Sequence, residues 1–239
     1  MTQTLKNQSV EDLHDSKHWY LKHIRVFADL PEEDKKELRE ISHMTSYRKH
    51  EPICFPGQPA DTVYLLKKGR VKISKVNETG QEATICLLEP GEMFGEVEAL
   101  SQPTRETLIQ ALEPVLVCEI TRENFERFLN RCPTIGVNIL KSVGGRLRNI
   151  ETKFADLVFH SAPARLAKLL LQLGDSMGKE DQHLIRLNVR LTHQNLANLI
   201  GTSRETVSAL LGQFQRQGLL IQDRRQICLL NTDELANIQ

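Results

Sequence analysis

Residues 191–220, LTHQNLANLIGTSRETVSALLGQFQRQGLL, constrain this chain more than any other stretch. They read as two short helices joined by a tight turn. Thr192 is placed to cap the first helix by accepting a hydrogen bond from a free backbone N–H. Leu196, Leu199 and Ile200 recur at helical spacing and form a stripe to be buried. Gly201 follows the last periodic residue, where a left-handed residue ends a helix and glycine carries no steric penalty. Thr202-Ser203-Arg204-Glu205 fits the capping-box pattern and opens the second helix. Val207, Leu210, Leu211 and Phe214 then face inward, which leaves Arg204, Glu205 and Ser208 outward near the N-terminal end.

In a helix-turn-helix, that end of the second helix meets base edges in the DNA major groove. An arginine there can grip guanine O6 and N7 with two bonds, and a glutamate can accept from cytosine N4. Any αα-hairpin with a glycine turn carries similar local signals, with Glu205 as a mere cap and Arg204 in solvent. The residues beyond the second helix favour DNA. Gly218 to Leu230 reads as a β-hairpin wing whose tip carries Arg224 and Arg225, placed to reach phosphates. Residues 186–225 hold six Arg against one Glu and one Asp, whereas the whole chain balances 31 basic and 31 acidic residues. Positive charge therefore gathers where a duplex would lie. A ligand-binding module whose helix-turn-helix serves protein contacts is the competing reading.

At 239 residues the chain has room for two modest domains. No run approaches the roughly 18 apolar residues of a membrane span. The first 20 residues lack the apolar core of a signal peptide, so the expectation is a cytoplasmic protein with no membrane partner. The five cysteines, at 54, 86, 118, 132 and 228, form no C-x-x-C pair. That argues against a disulfide framework, a zinc ribbon or a compact iron–sulfur site, and no metal site is expected. A Walker motif, an H-E-x-x-H helix and a G-x-S-x-G elbow are all missing, so nothing proposes an enzyme reaction.

Residues 1–20 read as a polar segment. Trp19 to Ala28 and Pro31 to Met44 look like short helices, the second opened by a proline with three acids behind it. From Glu51 to Ile120, Gly57, Gly69, Gly80 and Gly91 recur every eleven or twelve residues. Alternating stretches such as TVYLL from Thr62 and RVKIS from Arg70 lie between them, which predicts an all-β roll. A helix from Arg122 to Asn130 comes next and ends near Pro133.

Leu140, Val143, Leu147, Ile150, Phe154 and Leu157 then step by 3, 4, 3, 4 and 3. That spacing predicts a coiled-coil seam and a homodimer. A helix packed on its own β-domain would show a similar stripe. The dimer is favoured because a helix-turn-helix reader works as a two-fold pair on a palindrome. Gly144-Gly145 inside this helix costs about 1 kcal/mol per glycine relative to alanine.

A β-roll, a dimerising helix and a C-terminal winged helix-turn-helix, in that order, resemble the Crp/Fnr family of bacterial transcription regulators. The resemblance runs from about Leu21 to Leu230. Four motifs carry it: FPGQPADTVYLLKKGRVKI, PGEMFGEVEAL, DLVFHSAPARLAKLLL and GTSRETVSALL. It implies an α+β chain with a double-stranded β-helix of the cyclic-nucleotide-binding type at 21–132. A dimerisation helix at 133–159 and a hinge at 160–162 would come after it, then a DNA-binding domain at 163–239. It also implies a small effector held in the roll, which reorients the DNA-binding domains so that the dimer engages a palindrome and RNA polymerase.

Carried over by position, Arg204 and Glu205 match the family's base-reading pair. Ser203, Thr206, Thr192 and Gln194 match positions that meet phosphates. This implies a TGTGA-like half-site, although Ala209 stands where a second base-reading Arg is expected. In the roll, Gly95, Glu96 and Arg105 match the ribose and phosphate contacts, with Val97 beside them. Glu106 stands in place of a Ser, and Thr107 is next to it. Ile150 and Glu151 stand in place of the polar adenine contacts. An anion beside the expected phosphate disfavours cyclic AMP. An Arg105–Glu106 or Arg105–Glu96 ion pair is expected to fill the pocket instead. Iron–sulfur members carry clustered N-terminal cysteines, and none precedes Cys54 here. For haem, Cys86 on a strand and His14 with His18 are the only candidates, and they do not make a full ligand set. A 2-oxoglutarate or cyclic di-GMP effector stays open.

Overall fold

A computed structural model describes residues 25–27, 30–181, 184–187, 189, 191–223 and 226–238. The chain divides into two compact units. One runs through Gln81 and from Ile85 to Arg146; the other comprises Glu82–Thr84 and Leu147–Gln239.

The first unit is built on two antiparallel four-stranded sheets. Strands β1 (Ser42–Tyr47), β3 (Thr62–Lys68), β6 (Met93–Phe94) and β8 (Val115–Thr121) form one sheet in the order β1-β8-β3-β6. Strands β2 (Pro52–Cys54), β4 (Val71–Val76), β5 (Glu82–Leu88) and β7 (Leu108–Ala111) form the other in the order β2-β7-β4-β5. The four regularly spaced glycines lie in the turns, as the spacing predicts.

Strand β3 shows why this roll needs helices. Side chains alternate across a pleated strand. Tyr64 and Leu66 join the inter-sheet core with Val71, Phe94, Ile109 and Val117. Val63 and Leu65 point the other way, into a second core with Cys118 and Ile120. All four β3 residues are buried, so the sheet must be covered on both faces. Helices α1 (Glu32–Glu40) and α3 (Arg122–Arg131) supply Leu38, Phe125 and Phe128 to that second core, joined by Phe27 of the 3-10 turn Arg25–Phe27. Thr121 caps α3 by accepting from the Asn124 N–H.

One sequence expectation changes here. The helix predicted over Pro31 to Met44 stops at Glu40, and Met44 lies in β1, paired with Cys118 of β8. Ser42-His-Met-Thr-Ser-Tyr is half-buried along a sheet edge, and that pairing overrides the weak helical period. The segment Trp19 to Ala28 falls almost entirely outside the described residues, as do His14 and His18.

Helix α4 (Pro133–Phe159) is 27 residues long and opens on proline. Its first turns bury Ile135 and Ile139 in the second core, with Val143 half-buried against it. Val143, predicted as a seam residue, therefore packs on the roll of its own chain. The single stripe seen in the sequence is thus partly packed on the roll and partly exposed. Leu140 is 71% exposed and Phe154 69%, with Leu147 and Ile150 also exposed.

In the second unit, Ser161 caps α5 (Ala162–Met177), whose Leu166, Leu170 and Leu173 are buried. A four-stranded sheet has the order β11-β12-β10-β9, with β9 at Gly178–Asp181, β10 at Leu184–Leu187, β11 at Leu220–Asp223 and β12 at Gln226–Leu229. The β11–β12 hairpin is the predicted wing. The β9–β10 hairpin is not predicted from the sequence. The chain closes on α8 (Thr232–Ala236), capped by Asn231.

Phe125 is fully buried where α3 crosses the sheet. Phe125→Ala is expected to cost about 3–5 kcal/mol, as for other large core truncations. Urea unfolding checks this, and a loss below about 1 kcal/mol would contradict the doubly covered sheet.

Candidate functional site

The two helices of residues 191–220 are α6 (His193–Ile200) and α7 (Arg204–Arg216). Thr192 caps α6 in a full capping box: the Asn195 N–H donates to Thr192 Oγ1 at 3.1 Å, and the Thr192 N–H donates to Asn195 Oδ1 at 3.0 Å. Gly201 ends α6 with φ 65°, a left-handed conformation that favours glycine. A side chain there would also strike Leu157, whose Cδ2 lies 2.8 Å from where a Cβ would sit. Leu157, predicted as a seam residue, thus covers the turn of its own chain.

The second cap differs by one residue from the predicted box. Ser203, not Thr202, is the N-cap, accepting from the Thr206 N–H at 3.1 Å. Glu205 is consequently the second residue of the helix and not the closing acid of the predicted box. It lies exposed on the first turn beside Arg204 and Ser208. A hydrogen bond from its own backbone N–H, helped by the Ser203 hydroxyl, holds its carboxyl below the usual carboxylate range. Glu205 is therefore an ionised acceptor at neutral pH. Val207, Leu210, Leu211 and Phe214 are all buried, which fixes which face is left outward.

A concavity of about 460 Å³ opens beside α7. Thr192, His193 and Gln194 line one side of it, Arg204 another, and Gln222 and Gln226 of the wing a third. It brings together three of the predicted DNA-contacting residues, Thr192, Gln194 and Arg204. Ser208 is tied differently: its hydroxyl donates to the Arg204 carbonyl at 2.9 Å and meets His193 Nδ1 at 2.7 Å. His193 is not among the residues that the sequence singles out. Arg224 and Arg225 lie outside the described residues. Residues 160–162 are braced within this unit, where Arg165 donates to the His160 carbonyl and to the Ile200 carbonyl, each at 2.9 Å.

In the roll, helix α2 (Glu96–Ser101) begins after Gly95, which has φ 78°. A Cβ on Gly95 would lie 2.9 Å from Arg105 Nη1, so glycine there makes room for the guanidinium. Arg105 is 2% exposed. It donates to the Gly95 carbonyl at 2.8 Å and to the Thr62 carbonyl, and pairs with Glu98 at 3.4 Å. The expected partners of Arg105 are engaged elsewhere. Glu96 pairs with Arg146 of α4 at 3.0 Å, and Glu106 turns to Lys75. Both follow from geometry. Arg105 is buried and Glu106 exposed, so the two neighbours face different surroundings, and Glu96 at the start of α2 is met by Arg146 of α4.

Burial pushes the Glu96 carboxyl above its usual range, with Arg146 pulling against that. One of its oxygens, Oε2, is buried without a hydrogen-bond partner among the described residues. Glu98 accepts from the N–H of Glu106 and of Thr107 and from the Thr107 hydroxyl. Sequence reasoning misses both Glu98 and Arg146. Their neighbours in the chain carry no hint of Arg105 or Glu96 as partners; only the fold brings them together. Val97, Ile150 and Glu151 are exposed, and Cys86 is half-buried, outside any disulfide and packed on the inter-sheet core. Among the described residues, no group of three or more His, Cys, Asp or Glu side chains is placed to hold a metal ion.

This arrangement has relatives. The cyclic nucleotide-binding domain family matches residues 44–132, and the Crp-like helix-turn-helix domain family matches residues 164–238. The global nitrogen regulator of Synechococcus elongatus is 30% identical over 192 residues, covering 80% of this chain and 86% of that protein. The chain belongs to the Crp/Fnr family of transcription regulators. The CRP-like cAMP-activated global transcriptional regulator of Mycobacterium tuberculosis is 29% identical over 194 residues, covering 78% of this chain and 87% of that one. The crystal structure of a CRP/FNR-family transcriptional regulator from Thermus thermophilus superposes with a TM-score of 0.68 at 26% identity, covering 81% of this chain and 98% of that one. The α+β architecture of roll, long helix and DNA-binding helix-turn-helix is that of the family.

Replacing Ser203 tests the shifted cap. Ser203→Ala is expected to lower stability by about 1 kcal/mol, and Ser203→Gly by only a few tenths. Thermal or chemical melting of the full chain reads both, and equal losses in the two variants would contradict the cap.

Proposed function

We propose that this family member works as a homodimer that reads a palindromic, TGTGA-like site with Arg204 and Glu205. The observation that carries this is their position. A long cation and an ionised carboxylate stand side by side on the exposed first turn of α7, free of structural partners in the core. An Arg placed there can take guanine with two bonds, and the adjacent carboxylate can take cytosine N4. Ser203, Thr206, Thr192 and Gln194 lie close by for phosphates, and a wing with Arg224 and Arg225 at its tip would extend that set.

The dimer reading rests on α4. Leu140, Leu147, Ile150 and Phe154 are exposed on the helix at 3- and 4-residue steps. A contiguous apolar stripe of this kind marks an association surface. A second copy supplies the same stripe, and a two-fold axis through it would match the two halves of a palindrome. RNA polymerase is the partner through which such a dimer would act. The activity is regulatory and not enzymatic, and no helix among the described residues is long and apolar enough to cross a membrane. The effector of the roll is a small molecule other than classical cyclic AMP. An effector-independent regulator is the second reading, favoured by the internal pairing of Arg105 and Glu98.

Fluorescence anisotropy with a TGTGA–N6–TCACA duplex and a scrambled control tests the first point. Arg204→Ala is expected to cost about 1–3 kcal/mol on the specific duplex and to relax one base position, with little change on the control. Unchanged specific binding would mean that Arg204 does not enter the groove. For the second point, Phe154→Glu places charge in the stripe. Light scattering after size exclusion is expected to show the mass fall from dimer to monomer; an unchanged mass would remove α4 from the interface.

A further inference from the structure

The polar cluster around Glu98 has the form of an anion-binding site. One carboxylate oxygen, Oε1, accepts from the N–H of Glu106 at 2.9 Å, the N–H of Thr107 at 3.0 Å and the Thr107 hydroxyl at 2.8 Å. The other faces the buried Arg105 guanidinium at 3.4 Å. Two successive backbone amides, one hydroxyl and one fixed cation converge on one point. Such a set of donors suits an oxyanion, phosphate included. The buried Arg105 guanidinium in particular is costly if left without an acceptor. Here the acceptor is a side chain of the same chain.

We infer that Glu98 sets the ligand specificity of the roll: its carboxylate is the built-in occupant of the anion cradle and excludes phosphate-bearing effectors. This rests on the reading of the roll as the effector domain and specifies what that domain refuses. Three features support it. An intrachain carboxylate competes at a high effective concentration against any free anion. A phosphate that displaced Glu98 would leave a buried carboxylate without partners, and one that shared the cradle would meet a like charge at contact distance. Arg105 is also held by the Gly95 and Thr62 carbonyls, so its guanidinium is not free to swing toward a ligand outside the cradle. Glu106, the acid that lies next in sequence to Arg105, turns away to Lys75 and leaves the exclusion to Glu98.

The test uses the full-length protein, without DNA, and two probes: cyclic AMP and inorganic phosphate. Titration calorimetry and thermal melting read binding. The wild-type protein is expected to give no saturable heat with either probe and no rise in melting temperature. Glu98→Ala empties the cradle. It is expected to bind cyclic AMP saturably and to melt at higher temperature as ligand is added, as linkage requires. Uptake of inorganic phosphate alone by Glu98→Ala would equally support the inference. Saturable binding of cyclic AMP by the wild type as tight as by the variant would overturn it, as would a folded Glu98→Ala that binds neither probe. Should Glu98→Ala not fold, Glu98→Gln decides. Its amide oxygen keeps the acceptor and loses the charge, so cyclic AMP binding is expected to be tighter than wild type by about tenfold or more. Binding indistinguishable from wild type would overturn the inference. Because DNA is left out, failure here and failure of the DNA reading show up in separate measurements.

Discussion

Burial of one sheet on both faces is the constraint on which the first unit depends. β3 and β8 each send alternate side chains to opposite sides, and both sides are apolar. A sheet of that kind must be covered twice. The second sheet covers one face. The helices α1 and α3 and the first turns of α4 cover the other, with Ile135 and Ile139 seated among Phe125, Phe128 and Leu65. Where α4 leaves that core, its apolar stripe continues uncovered. From Ile139 and Val143 to Leu147, Ile150 and Phe154 the helix passes from residues packed on the roll to exposed ones.

The same core sets the geometry of the polar cluster. Arg146 reaches back from α4 to Glu96 and to the Met93 carbonyl, 2.8 Å away. That commits Glu96 to the helix. Arg105 is left to Glu98, and Glu98 to the backbone of the strand approach at 106 and 107. Two largely buried ion pairs, Glu96–Arg146 and Arg105–Glu98, result, and burying their charges costs much of what pairing returns.

The second unit obeys a more local logic. Caps at Ser161, Thr192, Ser203 and Asn231 start four of its helices, and each satisfies a backbone N–H that has no partner within its helix. Buried Val207, Leu210, Leu211 and Phe214 orient α7 so that Arg204 and Glu205 cannot face the core. With the cap at Ser203 and not Thr202, Glu205 falls on the first turn beside it, and its carboxylate accepts from its own backbone N–H and the Ser203 hydroxyl.

Local features of this kind are legible in the sequence, because caps, glycine turns and the periodicity of apolar residues act within a few residues of each other. The two helices at 191–216, the wing strands, the β-roll and the long helix are all readable on those grounds. The strand at Ser42–Tyr47 and the β9–β10 hairpin are not, since their stability comes from pairing with β8 and β12, distant in sequence. The division of the α4 stripe between roll and solvent needs the core itself. So do the partners of Arg105: several acids lie near it in the sequence, and only the fold, which sets Glu98 against the backbone at 106 and 107, selects Glu98. What the sequence determined by itself is the kind of element at each stretch and the face that carries Arg204 and Glu205. What the tertiary structure decided is which charges meet, because ion pairs form between side chains that the fold brings within a few ångströms, whatever their separation along the chain.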